Sequence, residues 1–388
     1  MTEIISYGII TTNNSLQKRV AAKIGNKIID LVELCRNGTL DETLENYFLQ
    51  NSLNSFITLD CNVRKTIKVQ VIEFLKQDIN PTVIISEEEM KSHMPVKISG
   101  YTDFYASIEH ATNIGRIFRP DNPLSPNWLH LPIAYNGRAS SVKLSGHPLK
   151  RPYGQILVDG KPQFSLSKKV DLEVELGIII GKESSLGQPI SIDEATDYIF
   201  GVCIVNDWSL RDIQAWEYQP LGPFNSKSVL TSISAFVTPI EELEIFKVPL
   251  RQQDPKPMAY LQDNNAYTYD IKFDVSIKTE KSEKAYKISE VNFKDIYWSM
   301  KQMIAQHTIT GCNLSVGDLL ASGTISGEGF DHLGSLMEMT VNGTKPITLP
   351  NGETRSFLLD GDELIIDAYN DSLGVKIDLG AVTGKVVC

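Results

Sequence analysis

The stretch from Val170 to Ile180 carries three carboxylates at two-residue spacing and then continues as an uninterrupted apolar run. Read as a β-strand, it turns alternate side chains to opposite faces. One face carries Leu172, Val174 and Leu176, and the other carries Asp171, Glu173 and Glu175. Like charges on one face repel each other, and the apolar run indicates burial. A buried acidic row must take up protons or bind a cation, whereas an exposed one is simply a solvated strand edge.

Length and charge limit the classes of protein that this chain can belong to. Its 388 residues fit two or three domains, and 42% hydrophobic with 22% charged residues is an ordinary globular balance. The net charge of −11 argues against a nucleic-acid-binding protein, which needs a basic footprint. An anionic small-molecule substrate stays compatible with this charge, provided that arginine and lysine collect locally.

Cysteine usage and hydropathy predict a location. The five cysteines are scattered, odd in number and without a CxxC pair, which favours reduced thiols in a cytosolic protein over a disulfide framework. We find neither a basic-then-apolar leader at Met1 nor an apolar run of about 18 residues. We therefore expect a cytoplasmic protein without a signal peptide or a membrane span.

Residues 1–97 read as a separate small unit with a structural or interface role. Strands are predicted at Ile4–Thr11 and Arg19–Ile24, and a tight turn leads into a short hairpin strand at Lys27–Leu31. The segment Leu40–Leu75 is helical in composition and broken by Asn and Asp. From Tyr101 onward, short apolar strands alternate with Gly and Pro turns, which predicts a largely β domain with few helices.

The segment Tyr101–Asn113 is dense in Asp, Tyr, Ser, His and Asn. If it is helical, Asp103 and His110 lie seven residues apart on one face. Asp103 is alternatively a helix N-cap.

Further along, an apolar strand at Tyr198–Val205 runs into Asp207, which is a functional residue at a strand end or an N-cap. Ser209–Asp212 has the form of a capping box, so we expect a helix to begin there with Arg211 and Gln214 on one face. Lys227 follows in a loop.

The segment Ser335–Val341 reads as a strand with Glu338 in its middle. Asn342–Gly343 then predicts a hairpin turn into the strand Thr344–Thr348. By itself, Glu338 is equally well an outward-facing polar residue of that strand.

Together these residues indicate a type of chemistry. Each one alone also has a purely structural interpretation, as a helix cap, a core histidine or a surface group. Four carboxylates without neighbouring Cys or paired His suit Ca²⁺, Mg²⁺ or Mn²⁺, and they are Asp103, Glu173, Glu175 and Asp207. His110 is a candidate general base that Glu338 could orient. The candidate donors to an oxyanion are Arg211, Gln214 and Lys227. The sequence has no Gly-rich phosphate loop, no GxSxG elbow and no HExxH helix.

A set of segments, in order and spacing, strongly resembles the fumarylacetoacetate hydrolase family. They are residues 103–113, 126–132, 137–141, 206–214, 222–224, 322–327 and 334–338. The likeness runs from about Tyr101 to the C-terminus, and the N-terminal unit matches more loosely. The resemblance implies a homodimer whose subunit is mainly β with some helix (α+β). Each subunit would have a small SH3-like barrel in residues 1–97 and a larger β-rich catalytic domain in residues 98–388.

The resemblance also implies roles for individual residues. The family's contacts to a Ca²⁺ or Mg²⁺ ion correspond to six residues here, the four carboxylates and two further contacts, which are Asp103, Glu173, Glu175, Asp207, Lys227 and Thr231. Its catalytic histidine and orienting glutamate match His110 and Glu338, and its oxyanion donors match Arg211, Gln214 and Lys227. Its substrate contacts match Tyr105, Arg119, Tyr135, Arg211, Gln214, Tyr218 and Thr324. Asp171 shares the strand face of the matched glutamates but has no counterpart among the ligands.

The implied reaction is metal-dependent hydrolysis of 4-fumarylacetoacetate to fumarate and acetoacetate, the last step of tyrosine and phenylalanine catabolism. One alternative is a related hydrolase or decarboxylase of acylpyruvates or other β-diketo acids. A non-enzyme alternative is a metal-stabilised binding protein with a vestigial site. Departures from the family at Ile108–Glu109, Arg119–Pro126 and Glu328–Asp331 lie at the rim, so they bear on substrate fit rather than on reaction type.

Overall fold

Strands make up most of the regular structure, with shorter helices between them. The structure is a computed structural model that describes residues 3–77, 83–370 and 377–388. The N-terminal unit contains β1 (Ile5–Thr12), β2 (Ser15–Ile24), β3 (Lys27–Asp30), α1 (Leu31–Arg36), α2 (Glu45–Phe48), α3 (Asn54–Ile57), α4 (Cys61–Phe74), β4 (Ile84–Ile85) and β5 (Met90–His93). The predicted hairpin and the broken helical segment are therefore confirmed.

The larger C-terminal unit contributes the remaining elements. Its helices are α5 (Ile108–Phe118), α6 (Arg211–Glu217), α7 (Met300–Thr308) and α8 (Leu336–Met339). Its strands begin with β6 (Tyr101–Phe104), β7 (Ala134–Asn136), β8 (Val142–Leu144), β9 (Leu149–Lys150), β10 (Tyr153–Val158), β11 (Lys161–Leu166), β12 (Val170–Asp171), β13 (Val174–Ile180), β14 (Ile199–Asp207) and β15 (Ser209–Leu210). They continue with β16 (Thr231–Ile233), β17 (Phe236–Pro239), β18 (Lys247–Pro249), β19 (Tyr267–Tyr269), β20 (Lys272–Lys278), β21 (Ala285–Asn292), β22 (Leu319–Ala321), β23 (Ile347–Thr348), β24 (Thr354–Arg355), β25 (Glu363–Asn370) and β26 (Ile377–Val387). The mainly β class with some helix is confirmed.

A central sheet joins the two units. Its main order is β4-β3-β2-β1-β17-β14-β13-β22-β6-β7, and β1 pairs antiparallel with β17 with Tyr7 opposite Val237. Strands β13 and β14 lie in the middle of this order and are buried along their whole length, as their continuous apolar runs predict. The SH3-like barrel of residues 1–97 and the boundary at residue 98 stay predictions.

A second sheet supports the first from behind. Its order is β21-β20-β25-β26-β9, and β26 packs against β14, β16 and β17. A Cβ atom on Gly384 of β26 would lie 2.5 Å from the ring of Trp208, so only glycine lets the two approach. The Trp208 indole donates to Ser232 Oγ over 2.9 Å. This packing fixes the backbone immediately after Asp207.

The acidic stretch differs from the single strand that its pattern predicts. It is broken at Leu172–Glu173, so that β12 pairs with β15 while β13 pairs with β14. Asp171 and Glu173 nevertheless both contact the guanidinium of Arg211. The prediction of one continuous strand over Val170–Ile180 is wrong.

Two other local predictions near the acidic stretch are also wrong. Asp103 lies in strand β6, and the helix that carries His110 begins only at Ile108, with Ser107 as its N-cap. Ser209 does not cap helix α6, because it belongs to β15 and its hydroxyl donates to the carbonyl of Asp207.

The segment predicted as a strand around Glu338 is instead the short helix α8. The Ser335 side chain caps this helix, which outweighs the apolar alternation of the sequence. The hairpin predicted at Asn342–Gly343 is wrong as well, because β23 pairs with β24. Within the described residues, we find no helix long and apolar enough to cross a membrane.

Candidate active site

Three neighbouring parts of the central sheet bring four buried carboxylates together. Glu175 lies on β13, Asp207 ends β14 and Asp103 lies on β6, while Glu173 occupies the break before β13. One oxygen from each of Asp103, Glu173, Glu175 and Asp207 lies within 4.8 Å of the others. The backbone amide of Asp207 donates to the carbonyl of Glu173, which ties the strand end to the break.

Among the residues that the structure describes, ion pairs with cations reach two of the four carboxylates, Glu173 and Asp207. The Lys227 ammonium contacts both Glu173 and Asp207, and lies 2.7 Å from Asp207 Oδ2. Arg211 Nη1 lies 2.7 Å from Glu173 Oε1. Although burial acts to raise the pKa of Glu173, these two cations outweigh it and lower the pKa to about 2. Glu173 is therefore ionised.

The other half of the cluster lacks such compensation. Among the described residues, neither oxygen of Glu175 has a hydrogen-bond partner, and Oδ1 of Asp103 has none either. Burial raises the pKa of both carboxyls well above the usual range, and in each case neighbouring carboxylates raise it further. Unpaired hard oxygen atoms with unbalanced negative charge are what a divalent cation compensates. The residues present therefore fit a divalent metal.

Three hydroxyl groups lie against the carboxylates, and that of Tyr101 donates to Asp103 Oδ2 over 3.4 Å. Thr231 Oγ1 donates to Asp207 Oδ1 over 2.9 Å. The Tyr135 hydroxyl lies 2.9 Å from Asp207 Oδ2 and 3.1 Å from Asp103 Oδ2.

Lys227 touches the cluster as an ammonium group, because its buried carboxylate partners outweigh desolvation and raise its pKa. In that form it neutralises charge and cannot itself be a metal ligand.

His110 lies beside the cluster in the first turn of α5. Its Nδ1 atom lies 2.7 Å from Glu338 Oε2, and both side chains are buried. Burial acts to raise the pKa of Glu338, but His110 and the surrounding hydrogen bonds outweigh it and lower the pKa. An ionised carboxylate only accepts, so the Nδ1–H group of His110 is the donor in this hydrogen bond.

Three further residues hold the Glu338 carboxylate. Asn113 Nδ2 donates to Oε1 over 3.0 Å, Ser335 Oγ donates to Oε2 over 2.8 Å, and Ser326 Oγ lies 3.0 Å from Oε1. The sequence analysis assigned none of these three a role, although all three lie within segments that resemble the family. Asn113 and Ser326 are far from Glu338 along the chain and gave no local signal. Ser335, in contrast, is three residues before Glu338 in a capping-box pattern that could have identified it.

Arg211 presents a free donor. Its Nε atom is used by Asp171, and Nη1 contacts Gln214 Oε1 at 3.2 Å as well as Glu173. The buried Nη2 atom has no partner within the described chain. Such a donor suits an anionic oxygen of a ligand.

One cavity of about 590 Å³ unites these groups. Its wall includes three of the four carboxylates, Asp103, Glu173 and Glu175, together with His110, Arg211, Gln214 and Lys227. It also includes the residues predicted to contact substrate, Tyr105, Arg119, Tyr135, Tyr218 and Thr324. Asp207 and Glu338 lie behind this wall and contact Lys227 and His110, which line it, and Thr231 lies behind Asp207. The sequence-predicted set is thus one spatial site, while the role of each member stays a prediction.

Two protein-family sequence models match this chain, one in each part. The sequence profile described as "Fumarylacetoacetate (FAA) hydrolase C-terminal" matches residues 99–387, and "Fumarylacetoacetase N-terminal" matches residues 4–100. Fumarylacetoacetase of Homo sapiens is 43% identical over 99% of this chain and 95% of its own length. That of Dictyostelium discoideum is 41% identical over 99% and 94%.

The fold of this chain is also similar to that of a solved structure. The fumarylacetoacetate hydrolase of psychrophilic Exiguobacterium antarcticum is similar with a TM-score of 0.57 at 14% identity, over 99% of both chains. At that identity the likeness concerns the fold alone.

Proposed function

Because the chain belongs to the fumarylacetoacetate hydrolase family, we propose that it hydrolyses 4-fumarylacetoacetate to fumarate and acetoacetate. It is a hydrolase, since relatives about 40% identical over nearly its whole length are named fumarylacetoacetase. Its reaction belongs to tyrosine and phenylalanine catabolism. The observation that carries the proposal is the single cavity whose wall combines His110, the acidic cluster and the Arg211 donor.

The substrate explains why such groups are needed. Fumarylacetoacetate is a 1,3-diketone with a carboxylate at each end. Water must add to the ketone next to the fumaryl group, and the carbon–carbon bond to the acetoacetyl part must then break. The electron pair of that bond leaves as an enolate, which takes up a proton to give acetoacetate. Catalysis therefore needs a base for water and stabilisation for two oxygen anions.

His110 is the proposed general base. Its Nδ1–H bond to the ionised Glu338 leaves Nε2 free to accept a proton from the attacking water. Glu338 also stabilises the imidazolium that this transfer creates. The proton on His110 is then available to the departing enolate.

The proposed oxyanion donors are Arg211, Gln214 and Lys227. Arg211 Nη2 supports this role, because a buried guanidinium donor without a partner among the described residues is available to an oxygen anion that forms beside it. Arg119 is exposed at the rim beside Tyr218, where its planar guanidinium suits a carboxylate end of the substrate.

We propose that Asp103, Glu173, Glu175 and Asp207 hold a Ca²⁺ or Mg²⁺ ion. When bound, such an ion supplies Lewis-acid stabilisation of negative charge on the diketone oxygens. Thr231 and Lys227 then fix the orientation and the charge of Asp207 from behind. All four oxygen donors are hard, which favours these ions over zinc or copper.

We further propose a cytoplasmic homodimer. The five cysteines are free thiols, which supports a reducing compartment. The hairpin β10–β11 supports dimerisation, because it exposes stacked Tyr153 and Phe164 rings, with centroids 5.4 Å apart, next to the partly exposed Trp216. Light scattering of Phe164→Asp should show monomer where the native chain shows dimer, and an unchanged mass would remove the hairpin from the proposed interface.

The function is tested by the loss of the diketone absorbance of fumarylacetoacetate. We expect turnover with Ca²⁺ or Mg²⁺ present, and loss of turnover after thorough chelation that either ion restores. No turnover with metal present would reject the proposed function. Turnover that survives chelation would reject the metal's role. A preference for an acylpyruvate would show that the substrate is that compound instead of fumarylacetoacetate.

A further inference from the structure

Asp171 is fully buried and accepts hydrogen bonds from two parts of the site at once. Its Oδ2 atom lies 2.8 Å from Arg211 Nε and 3.0 Å from the backbone amide of Met337. Its Oδ1 atom lies 2.8 Å from the amides of Leu336 and Leu172. Four donors therefore converge on one carboxylate that is not a member of the acidic cluster.

The backbone break directs Asp171 away from the cluster. In the pairing of β12 with β15, Asp171 stands opposite Ser209, two residues before Arg211. This register brings the carboxylate against the guanidinium at the start of α6, while Glu173 binds the same guanidinium through Nη1. Arg211 is consequently held from two sides, with Nη2 left for a ligand.

Two of the four donors belong to the turn that carries Glu338. Leu336 and Met337 are the first two residues of α8, and their amides have no acceptor within so short a helix. Asp171 accepts both, and the Ser335 hydroxyl accepts the amide of Glu338 itself. The backbone that presents Glu338 to His110 is therefore fixed by Asp171.

We propose that Asp171 is a positioning residue that holds the Arg211 donor and the Glu338-bearing turn in one rigid frame. The inference rests on the proposed function, because it assigns Arg211 to the oxyanion and Glu338 to the base. Through this frame, the donor and the base are aligned on the same substrate carbonyl. Misplacement of such groups by about 1 Å costs about 100-fold in rate, so a supporting carboxylate matters without touching substrate.

The test replaces Asp171 by asparagine, which keeps the shape but turns an NH₂ group toward two of the four donors. A matched control is Asp362→Asn. Asp362 is also buried and accepts Arg355 Nε over 2.7 Å and the amide of Leu359 over 2.8 Å, outside the cavity wall. Both variants remove a buried carboxylate that pairs with an arginine and a backbone amide.

We expect Asp171→Asn to lower kcat about 10- to 100-fold with KM changed less than about threefold. Asp362→Asn should lower thermal stability similarly but keep kcat within about twofold. In an Arg211→Gln background, Asp171→Asn should cost clearly less than it does in the native chain, because part of its action passes through Arg211. Should Asp171→Asn fail to fold, Asp171→Glu displaces the same frame by one methylene and is expected to show the same fall in kcat.

Three results would overturn the inference. They are a folded Asp171 variant with native kcat, an equal loss in Asp362→Asn, and the same fold-loss with and without Arg211. A readout independent of turnover separates this inference from the proposed function. The Nδ1–H proton of His110, bonded to Glu338, is observable by NMR, and Asp171→Asn should shift it while Asp362→Asn leaves it in place. If native protein has no activity toward fumarylacetoacetate, this resonance still decides the inference, and an unshifted resonance rejects it.

Discussion

Replacement of Glu338 by glutamine isolates the charge behind His110. The amide keeps the size of the carboxylate, and Asn113 can rotate its own amide to accept from the new NH₂ group. The Nδ1–H of His110 can then still donate to the Gln carbonyl oxygen. What is lost is the negative charge that faces the imidazolium during proton transfer, so the fold should survive while catalysis falls.

The magnitude follows from the observed geometry. With Nδ1 and Oε2 2.7 Å apart, the two charge centres are about 4 Å apart, which gives about 4 kcal/mol at an effective dielectric constant of about 20. A neutral hydrogen bond retains part of this, since charged bonds are about twice as strong as neutral ones. The remaining loss of about 2 to 4 kcal/mol corresponds to a fall in kcat of about 30- to 1,000-fold. Because Glu338 lies behind the cavity wall, KM should change less than about threefold.

The assay is steady-state loss of diketone absorbance with metal in excess. The matched control is Glu242→Gln. Glu242 is another buried glutamate, and it forms an ion pair with Lys68 of the N-terminal unit. This substitution should lower stability yet keep native kcat. A folded Glu338→Gln enzyme with kcat within about twofold of native would refute the assignment of Glu338 as the partner of the base.

Three other perturbations test the surroundings of the site. Ca²⁺ or Mg²⁺ at 100 times its Kd should stabilise the native chain by about 2.7 kcal/mol in thermal unfolding, whereas Glu175→Gln should lose most of this gain, and an equal gain would contradict the metal assignment. Because the pKa of Glu338 is lowered in the folded chain, its ionised form stabilises the fold above the ordinary glutamate pKa of 4.5, and this contribution is lost as the pH falls below that value. The difference in unfolding free energy between native and Glu338→Gln protein should therefore shrink from pH 5.5 to pH 4, and a constant difference would be inconsistent with the pairing. Gly384→Ala should destabilise by about 1 to 3 kcal/mol in urea unfolding, because its Cβ meets the Trp208 ring, and an unchanged midpoint would show that the ring can yield.

What the sequence predicted well was governed by local pattern. The continuous apolar runs of β13 and β14 predicted buried strands, and Asp207 was expected where a strand ends. Regular side-chain periodicity and turn residues suffice for such elements, because burial on both faces leaves little competition. The Gly25–Asn26 turn of the N-terminal hairpin is of the same kind.

The failures arose where distant residues decide local structure. Glu338 reads as a strand residue, but its turn is set by Ser335 and by Asp171, which lies 165 residues before Leu336. The break after Asp171 is likewise invisible to an alternating pattern, because its cause is pairing with β15 rather than a local breaker residue. Asp103, Glu175 and Asp207 were singled out as hard oxygen ligands from the sequence, but it was the family resemblance that assigned them to one site, since no spacing along one chain predicts which strand ends meet.

The most direct test of the central claim is product analysis with the native chain. Metal-loaded protein is incubated with fumarylacetoacetate, and the products are followed by proton NMR beside His110→Ala. The account predicts fumarate and acetoacetate in equal amounts from the native chain and almost none from His110→Ala, which should still bind Ca²⁺ or Mg²⁺. Intact substrate, a decarboxylated product, or near-native turnover by His110→Ala would contradict it.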